Sequence, residues 1–200
     1  RLVGCRPRAR YIARAARPAG LRMVFVSNGY YSPEVLEALL PAIDAYNIDL
    51  KSFSDDFYRR VCGGKLQPVL EAIRTIHDAG KWQEITSLII PGLNDSEAEL
   101  HAMAHFVASV DPAIPWHVSR FFPMYHMQDR PPTPGSTIDL AVHIGHEEGL
   151  LYVYSGNLSE HDTAGDTKCP ACGSTVIVRQ GYTVSAPTGL TCPTCGKHIE

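Results

Sequence analysis

The sequence lacks the long apolar run that a membrane-spanning helix requires. Its apolar stretches extend over only a few residues, as in Leu88–Ile90, whereas a span needs about 18. It also lacks a secretory core segment, which predicts a reducing, cytoplasmic location. With 44% hydrophobic and 20% charged residues in a chain of 200, the composition is that of a globular protein. We therefore expect a folded protein without a membrane partner.

The chain also lacks an excess of positive charge. Its formal net charge is −3, so nothing attracts a nucleic-acid backbone globally, and we expect no nucleic-acid partner. The charge is unevenly placed, because the first 33 residues hold seven arginines and no acidic residue. The chain begins with Arg1, and its first methionine is Met23. These features predict a chain that starts inside a longer protein rather than a transit peptide.

Proline, glycine and capping residues divide the chain into alternating strands and helices. The cap signals are Ser32 before Pro33, Ser54, and two capping boxes, Ser96 with Glu99 and Ser136 with Asp139. Gly80 and Gly149 are predicted helix stops. The predicted strands are 24–26, 46–50, 82–90, 116–122 and 150–154, and the predicted helices are 34–42, 54–60, 67–79, 96–110 and 136–149.

This alternation predicts an α/β fold in which helices cover a parallel sheet. No GxGxxG motif follows the first strand, so a partial (β/α) barrel is favoured over a doubly wound nucleotide-binding sheet. Barrel chemistry occurs at the carboxyl ends of the strands. Polar or turn-forming groups follow four predicted strands, at 27–29, 49–51, 90–92 and 120–125. For any single group, an ordinary loop start is the simpler interpretation, but four successive groups favour a site.

The C-terminal residues have a different character. Two CPxCG motifs, Cys169–Gly173 and Cys192–Gly196, are separated by 19 residues between Cys172 and Cys192, a spacing that suits a β-hairpin from 175–178 to 181–184. Two such turns supply four thiolates, which form a closed tetrahedral site. We therefore predict a structural Zn²⁺ bound by Cys169, Cys172, Cys192 and Cys195, rather than disulfides or a redox CxxC. The predicted domains are a partial barrel over 1–165 and a zinc ribbon over 166–200.

Other metal-ligand patterns are weaker. His101 and His105 are four residues apart but do not form HExxH, so a solvated helix face is predicted for them and likewise for His143 and His146. Cys5 and Cys62 are single thiols outside the ribbon. They are too few to hold an iron–sulfur cluster.

Several motifs in sequence carry a family resemblance. These are SNG (27–29), DLK (49–51), IPGLND (90–95), SRFFP (119–123) and DRPPTP (129–134), followed by CPACG and CPTCG. Taken together over residues 20–200, they resemble the C-terminal part of the AmmeMemoRadiSam-system radical SAM enzymes, which are relatives of pyruvate formate-lyase activating enzyme. Each motif alone is weak, and the specificity lies in the combination.

The resemblance implies a partial (β/α)6 barrel and a CxxxCxxC loop that holds a [4Fe-4S] cluster. In the family, S-adenosylmethionine bound to the cluster is cleaved reductively, and the 5′-deoxyadenosyl radical abstracts hydrogen from a substrate. The substrate, a small molecule or a protein, stays unknown, and other proteins of the AmmeMemoRadiSam system are possible partners. No CxxxCxxC motif occurs in these 200 residues. We therefore expect that this chain alone neither binds the cluster nor performs the chemistry.

The resemblance also implies cofactor-binding residues at the strand ends. At the third barrel strand, Ser27 and Asn28 would contact the methionine end, and Asp49 and Lys51 of the DLK motif would lie near the ribose and the carboxylate. On the fifth strand, Ile89 and Ile90 would face adenine. At the end of the sixth strand, the corresponding residues are Arg120 and Tyr125.

Two functions of other classes stay open at this point. Lys51 at a strand end could form a Schiff base, as in a class I aldolase-like lyase, with Asp49 tuning the amine. Alternatively, the chain could be a non-enzymatic module whose zinc ribbon binds a partner.

Overall fold

The computed structural model describes residues 11–13, 15–157, 165–180 and 183–199. Its main feature is a five-stranded parallel sheet whose strand order follows the chain, β1-β2-β3-β4-β5. An order without reversal is typical of a barrel segment, whereas a doubly wound sheet reverses direction partway. The predicted α/β fold with a parallel sheet is confirmed, and the sheet is consistent with a partial barrel. The strands are β1 (Val24–Ser27), β2 (Ala45–Asp49), β3 (Trp82–Ile89), β4 (Trp116–Arg120) and β5 (Val153–Gly156).

Helices connect these strands in the predicted alternation. A π-helical turn, Tyr58–Cys62, continues the short helix α2, and 3-10 turns occupy Arg17–Ala19 and Thr188–Leu190. The helices are α1 (Pro33–Leu39), α2 (Asp55–Phe57), α3 (Gln67–Asp78), α4 (Glu97–Val110) and α5 (Gly135–Glu147).

The helix caps were predicted with mixed success. The hydroxyl of Ser54 accepts from the amide of Phe57, and that of Ser96 accepts from the amide of Glu99, both at 3.3 Å. Ser32 occupies the N-cap position of α1 but makes no side-chain cap bond. The capping box at Ser136 is wrong, because α5 already begins at Gly135. Pro134 takes its N-cap position without a side-chain bond.

The described residues divide into two compact units, 1–86 and 87–200. In the first unit, α3 buries an apolar face that includes Val69, Leu70, Ile73 and Ile76. Strand β2 alternates, with Tyr46 and Ile48 buried and Asn47 and Asp49 half-buried. Burial of one face of the strand leaves its polar residues on the other face.

Gly29 is required where the chain leaves β1. Its φ is +67°, and an added Cβ would lie 2.7 Å from a methyl group of Ile48 and 3.1 Å from Val69. A side chain there would therefore be strained by the backbone and would collide with the core. The SNG motif thus has a packing reason at this position.

In the second unit, Trp116 on β4 is buried, and its indole Nε1 donates to Ser87 Oγ at 3.0 Å. The last strand of the sheet lies later than predicted. The amide of Leu150 instead closes the preceding helix by donating to Gly145 O, and the amide of Leu151 donates to Pro112 O in the loop after α4. Strand pairing with β4 therefore begins only at Val153.

The C-terminal residues 165–180 and 183–199, called here the four-cysteine region, form an antiparallel sheet. Its strands are β6 (Thr167–Lys168), β7 (Thr175–Gln180) and β8 (Thr183–Ser185), in the order β6-β7-β8. The predicted hairpin is present as β7 and β8, with 181–182 outside the described residues, whereas β6 was missed. The predicted domain boundary at 165/166 adjoins residues 158–164, which also lie outside the described ranges, and it stays a prediction.

Among the described helices, none combines the length and the apolar character that a membrane crossing demands.

Candidate functional site

The carboxyl ends of β1 and β2 carry the first group of predicted ligand-binding residues. Ser27 Oγ accepts a hydrogen bond from the amide of Gly29 at 3.3 Å, and Asn28 Oδ1 accepts from the amide of Tyr30 at 3.1 Å. These local bonds fix the turn that follows β1. The two side chains lie at the predicted strand end, and their contacts to a cofactor stay a prediction.

Asp49 and Lys51 form an ion pair at the end of β2. The Lys51 Nζ and Asp49 Oδ2 atoms are 2.9 Å apart, and the side chains of Lys51 and Asp49 are 39% and 33% exposed, respectively. A partly exposed pair of this kind adds little stability. Because both side chains are partly exposed, a ligand can reach them. A lysine suits a carboxylate, and an aspartate suits hydroxyl groups.

Tyr58 anchors this strand end and was missed in the sequence analysis. Its hydroxyl accepts a hydrogen bond from the amide of Lys51 at 3.1 Å. The ring is buried, and burial raises the pKa of the Tyr58 hydroxyl. Tyr58 opens the π-helical turn after α2, a kind of helix irregularity that is frequent near functional sites. The Ser54 cap, which was predicted, places this turn.

A row of polar side chains continues along β2 and β3 within the first unit. Asn47 Nδ2 donates to Glu84 Oε2 at 3.4 Å, and Thr86 Oγ1 donates to Asn47 Oδ1 at 3.0 Å. Register pairs Asn47 with Glu84 and Asp49 with Thr86. The signal for this row was present in the sequence as polar residues alternating with apolar ones, but it was not used.

In the second unit, Ile89 ends β3 and Ile90 follows it, both with buried side chains. The backbone here is held by Asn94, whose Oδ1 accepts from the amide of Ile90 at 2.6 Å and whose Nδ2 donates to Leu88 O at 2.9 Å. The IPGLND motif therefore has a structural function in this turn. A role for the two isoleucines in facing adenine stays a prediction.

The residues of the DRPPTP motif, 129–134, are called here the strap. Its Thr133 is fully buried, and its hydroxyl contacts both neighbouring strand ends. Thr133 Oγ1 donates to Ile89 O at 2.6 Å and accepts from the amide of Phe121 at 2.9 Å, while the amide of Thr133 donates to Phe121 O at 3.0 Å. One side-chain hydroxyl thus links the end of β3 to the residue that follows β4.

Two arginines are fixed to backbone carbonyls beside the strap. Arg120 Nε donates to Thr133 O at 2.6 Å, and the guanidinium lies 5.1 Å from the ring centroid of Phe122. Arg130 Nη1 donates to Pro91 O at 2.7 Å. Of this pair, the sequence analysis singled out only Arg120. Both side chains are oriented by the fold rather than left to sample many rotamers.

Tyr125 lies in the loop between β4 and the strap. It is 82% exposed, and its φ of +51° is unusual for a residue other than glycine. Its ring contacts that of His126, with the centroids 3.7 Å apart. The structure places it on the surface after the sixth predicted barrel strand, and its role in binding stays a prediction.

The four cysteines of the C-terminal region converge, as predicted. Their sulfur atoms all lie within 4.8 Å of one another, with Cys169 and Cys195 at 3.6 Å and Cys172 and Cys192 at 3.7 Å. A tetrahedral ion with bonds of about 2.3 Å to sulfur has edges of about 3.8 Å. The thiols are therefore placed to bind one metal ion.

The two knuckles have equivalent backbone hydrogen bonds. Gly173 and Gly196 donate to the carbonyl oxygens of Cys169 and Cys192, at 2.8 and 2.9 Å. Backbone amides further along each knuckle bond to the sulfurs of Cys172 and Cys192. Ser174 does support a sulfur, because its hydrogen bonding lowers the pKa of Cys172 to about 6. A lower pKa favours the thiolate, which is the form that binds metals.

The four-cysteine region is attached to β5 through side chains. Tyr152 belongs to its core cluster with Cys169, Val176, Cys192 and Ile199. The hydroxyl of Tyr154 lies 2.9 Å from Thr167 Oγ1, and the Arg179 guanidinium lies 5.2 Å from the Tyr154 ring centroid. The region therefore shares a core with the strand that precedes it.

The histidines of α4 are not simply solvated. His101 Nδ1 and His105 Nδ1 lie 2.8 and 3.0 Å from the two carboxylate oxygens of Glu148, at the end of α5. The hydrogen bonds from His101 and His105 lower the pKa of the Glu148 carboxyl. This arrangement joins two helices, and the sequence offered only the spacing of the histidines.

The chain therefore has an α/β fold with a sequentially ordered parallel sheet, consistent with a partial barrel, and polar side chains at the carboxyl ends of its strands. The sequence profile described as Radical SAM superfamily matches residues 5–107. This match covers more than half of the chain, and the chain belongs to the radical SAM superfamily.

Individual relatives agree with this assignment. The chain is 40% identical over 190 residues to an uncharacterized protein of Methanocaldococcus jannaschii, covering 92% of this chain and 56% of that protein. It is 32% identical over 81 residues to the benzylsuccinate synthase activating enzyme of Thauera aromatica, covering 40% of this chain and 24% of that enzyme. The chain thus spans little more than half the length of the first relative.

Solved structures show the same fold. A domain of the pyruvate-formate lyase-activating enzyme from Bacteroides vulgatus superposes with a TM-score of 0.63 at 21% identity, over 74% of this chain and 88% of that domain. SuiB of Streptococcus suis superposes with a TM-score of 0.58 at 12% identity, over 76% of this chain and 36% of that protein. At these identities, the similarity concerns the fold.

Proposed function

We propose that these residues are the C-terminal part of a radical SAM enzyme of the AmmeMemoRadiSam-system type, related to pyruvate formate-lyase activating enzyme. The observation that carries the proposal is the Asp49–Lys51 pair. It lies within the family-matched residues, at a strand end, half-exposed, and held by Tyr58. Carboxyl ends of barrel strands are where ligands bind.

The described residues fit S-adenosylmethionine but not the cluster. Lys51 offers a point charge for the carboxylate, Asp49 accepts from ribose hydroxyls, and Ser27 and Asn28 lie at the adjacent end of β1. A [4Fe-4S] cluster needs three thiolates from one loop, whereas the sequence offers Cys5 and Cys62 singly and the other four in the four-cysteine region. The proposal therefore concerns a polypeptide that also carries a CxxxCxxC loop. In such an enzyme, the bound cluster supplies an electron for cleavage of S-adenosylmethionine.

We propose Zn²⁺ as the ion of the four-cysteine region, which makes this region a zinc ribbon. All four positions of a tetrahedral site are filled by sulfur, which leaves no coordination position for a substrate. The ion is thus structural in this proposal and takes no part in the radical chemistry.

The ion pair weighs against the aldolase-like alternative. A Schiff-base lysine attacks as a neutral amine, often in an apolar pocket. The Lys51 Nζ atom instead lies 2.9 Å from a carboxylate oxygen of Asp49, on a half-exposed edge rather than in an apolar pocket. Borohydride trapping with a carbonyl substrate distinguishes the two functions.

The experiment uses a full-length protein that contains the CxxxCxxC loop, reconstituted anaerobically. We expect a [4Fe-4S] spectrum and production of 5′-deoxyadenosine from S-adenosylmethionine. Asp49→Ala and Lys51→Ala should each weaken S-adenosylmethionine binding about tenfold, the loss of one charge-assisted contact, while the cluster spectrum is kept. Lys81→Ala, which alters a lysine before the start of β3, is the matched control.

Unchanged S-adenosylmethionine binding in both Asp49→Ala and Lys51→Ala would contradict the assignment of these residues. A cluster spectrum together with 5′-deoxyadenosine from the 200-residue chain alone would contradict the expectation that other residues are needed.

A further inference from the structure

The strap is a motif that the proposed function does not use. The hydroxyl of its Thr133 bonds on one side to Ile89 O and on the other to the amide of Phe121. Because this buried hydroxyl both donates and accepts, it holds the two backbone groups that it contacts in fixed positions.

What the strap fixes is the pair of arginines. Arg120 is held through Nε by Thr133 O, and Arg130 is held through Nη1 by Pro91 O. These anchor points are connected, because Thr133 bonds to Ile89, two residues before Pro91. Gly92 leaves room for the second guanidinium, since an added Cβ would lie 3.2 Å from Arg130 Nη1.

Neither arginine has an acidic partner within the described ranges. Their recorded polar contacts are backbone carbonyls, although both side chains are half-buried. Arg59 and Arg60, in contrast, pair with Asp55 and Asp56. A half-buried guanidinium that is oriented by one nitrogen presents its remaining N–H groups as a fork, which matches the oxygens of a carboxylate or a phosphate.

We propose that Arg120 and Arg130 form an oxyanion-binding site for a carboxylate or phosphate group, and that Thr133 is its positioning residue. The identity of the natural ligand, a group on the substrate or cofactor of the enzyme, rests on the proposed function. The binding of an oxyanion by these two side chains does not require the cluster.

The test uses the 200-residue chain and two probes, inorganic phosphate and malonate, each titrated at constant ionic strength against chloride. Arginine Nε–Hε signals are followed by nuclear magnetic resonance. We expect saturable shifts at Arg120 and Arg130 with at least one probe. The stronger probe distinguishes a phosphate site from a carboxylate site.

Arg120→Lys and Arg130→Lys keep the charge but lose the fork. Each should weaken binding of the preferred probe about tenfold, which corresponds to one charge-assisted hydrogen bond. Arg59→Lys, on the exposed π-helical turn, should bind as the unchanged protein does. Unchanged tryptophan fluorescence, to which the buried Trp116 contributes together with Trp82, and retained metal at the four-cysteine region show that each variant is folded.

Thr133→Val removes the hydroxyl at nearly constant shape, and Thr133→Ser restores it. We expect Thr133→Val to shift the Arg120 Nε–Hε signal and to weaken anion binding, with recovery in Thr133→Ser. A folded Thr133→Val protein that binds the anion normally would show that Thr133 is structural only.

Shifts at Arg120 and Arg130 that are no larger than those at Arg59, or that chloride reproduces, would overturn the proposal. So would lysine variants that bind both probes unchanged. These outcomes are independent of S-adenosylmethionine cleavage, so failure of the oxyanion site and failure of the proposed function are distinguishable.

Discussion

In the four-cysteine region, all the metal-binding side chains come from two five-residue motifs, and their positions follow from local turns. At the strand ends, the contacts join distant segments, such as Arg130 and Pro91, which are 39 residues apart. The first region can be recognised from spacing alone because each Cys-x2-Cys turn has one geometry. The second depends on the packing of several elements. This difference determines where a single substitution has its largest effect.

Removal of one thiol from the four-cysteine region should have the greatest consequence. We expect the unchanged chain to contain one zinc per molecule and Cys169→Ser to lose it, because a structural ion of this kind holds its own fold together. Elemental analysis of protein purified without chelator measures this. Cys62→Ser, which alters the exposed single thiol, is the control and should keep the metal. Zinc retained in Cys169→Ser, or disulfides in place of metal, would contradict the assignment.

The strand ends should respond most to a change in packing rather than in a polar group. Gly29→Ala should destabilise the protein by about 3 kcal/mol, since it combines a left-handed backbone with contact at 2.7 Å to Ile48. Gly80→Ala is a matched control, because its φ is +65° but nothing lies within 4 Å, and it should cost about 1 kcal/mol. Urea denaturation gives both values. Equal values would mean that the collision with Ile48 is relieved.

The attachment of the four-cysteine region to β5 allows a finer test. Tyr154→Phe removes the hydrogen bond to Thr167 while leaving the ring under Arg179. We expect a loss of about 1 kcal/mol and faster hydrogen exchange in β6, with zinc still bound. Unchanged exchange at Thr167 and Lys168 would show that the local turns hold this region without help from β5.

The smallest effect is expected at the helix contact formed by Glu148. Its folded-state pKa is lowered by hydrogen bonds from His101 and His105. Its contribution is therefore present above the unfolded-state pKa and lost as the pH falls through the lower folded-state value. Glu148→Gln should reduce stability by less than about 1 kcal/mol at about pH 7, and the difference should vanish on acidification. Thermal unfolding across roughly pH 3–7 measures it, and a difference that persists in acid would exclude this origin.

Sequence reasoning found the alternation of strands and helices, the position of Asp49 and Lys51 at a strand end, and the cysteine cluster. It succeeded there because periodicity, strand ends and Cys-x2-Cys spacing are local signals. It missed Tyr58 and Thr133, whose partners Lys51, Ile89 and Phe121 are defined only once the loops are packed. Ser136 failed for a related reason, because a cap signal competes with the proline-rich strap that decides where α5 begins.

Tyr152 connects the stability of the four-cysteine region to residues that precede this region in the chain. Since its ring lies in the same buried cluster as Cys169 and Cys192, metal loading and the last turn before β5 are thermodynamically linked. An exchange of the four-cysteine region between related proteins at residue 166 would separate Tyr152 from the rest of this cluster and leave an apolar surface on each side. A graft that begins before Leu150 would carry the whole cluster and should fold cooperatively with its ion.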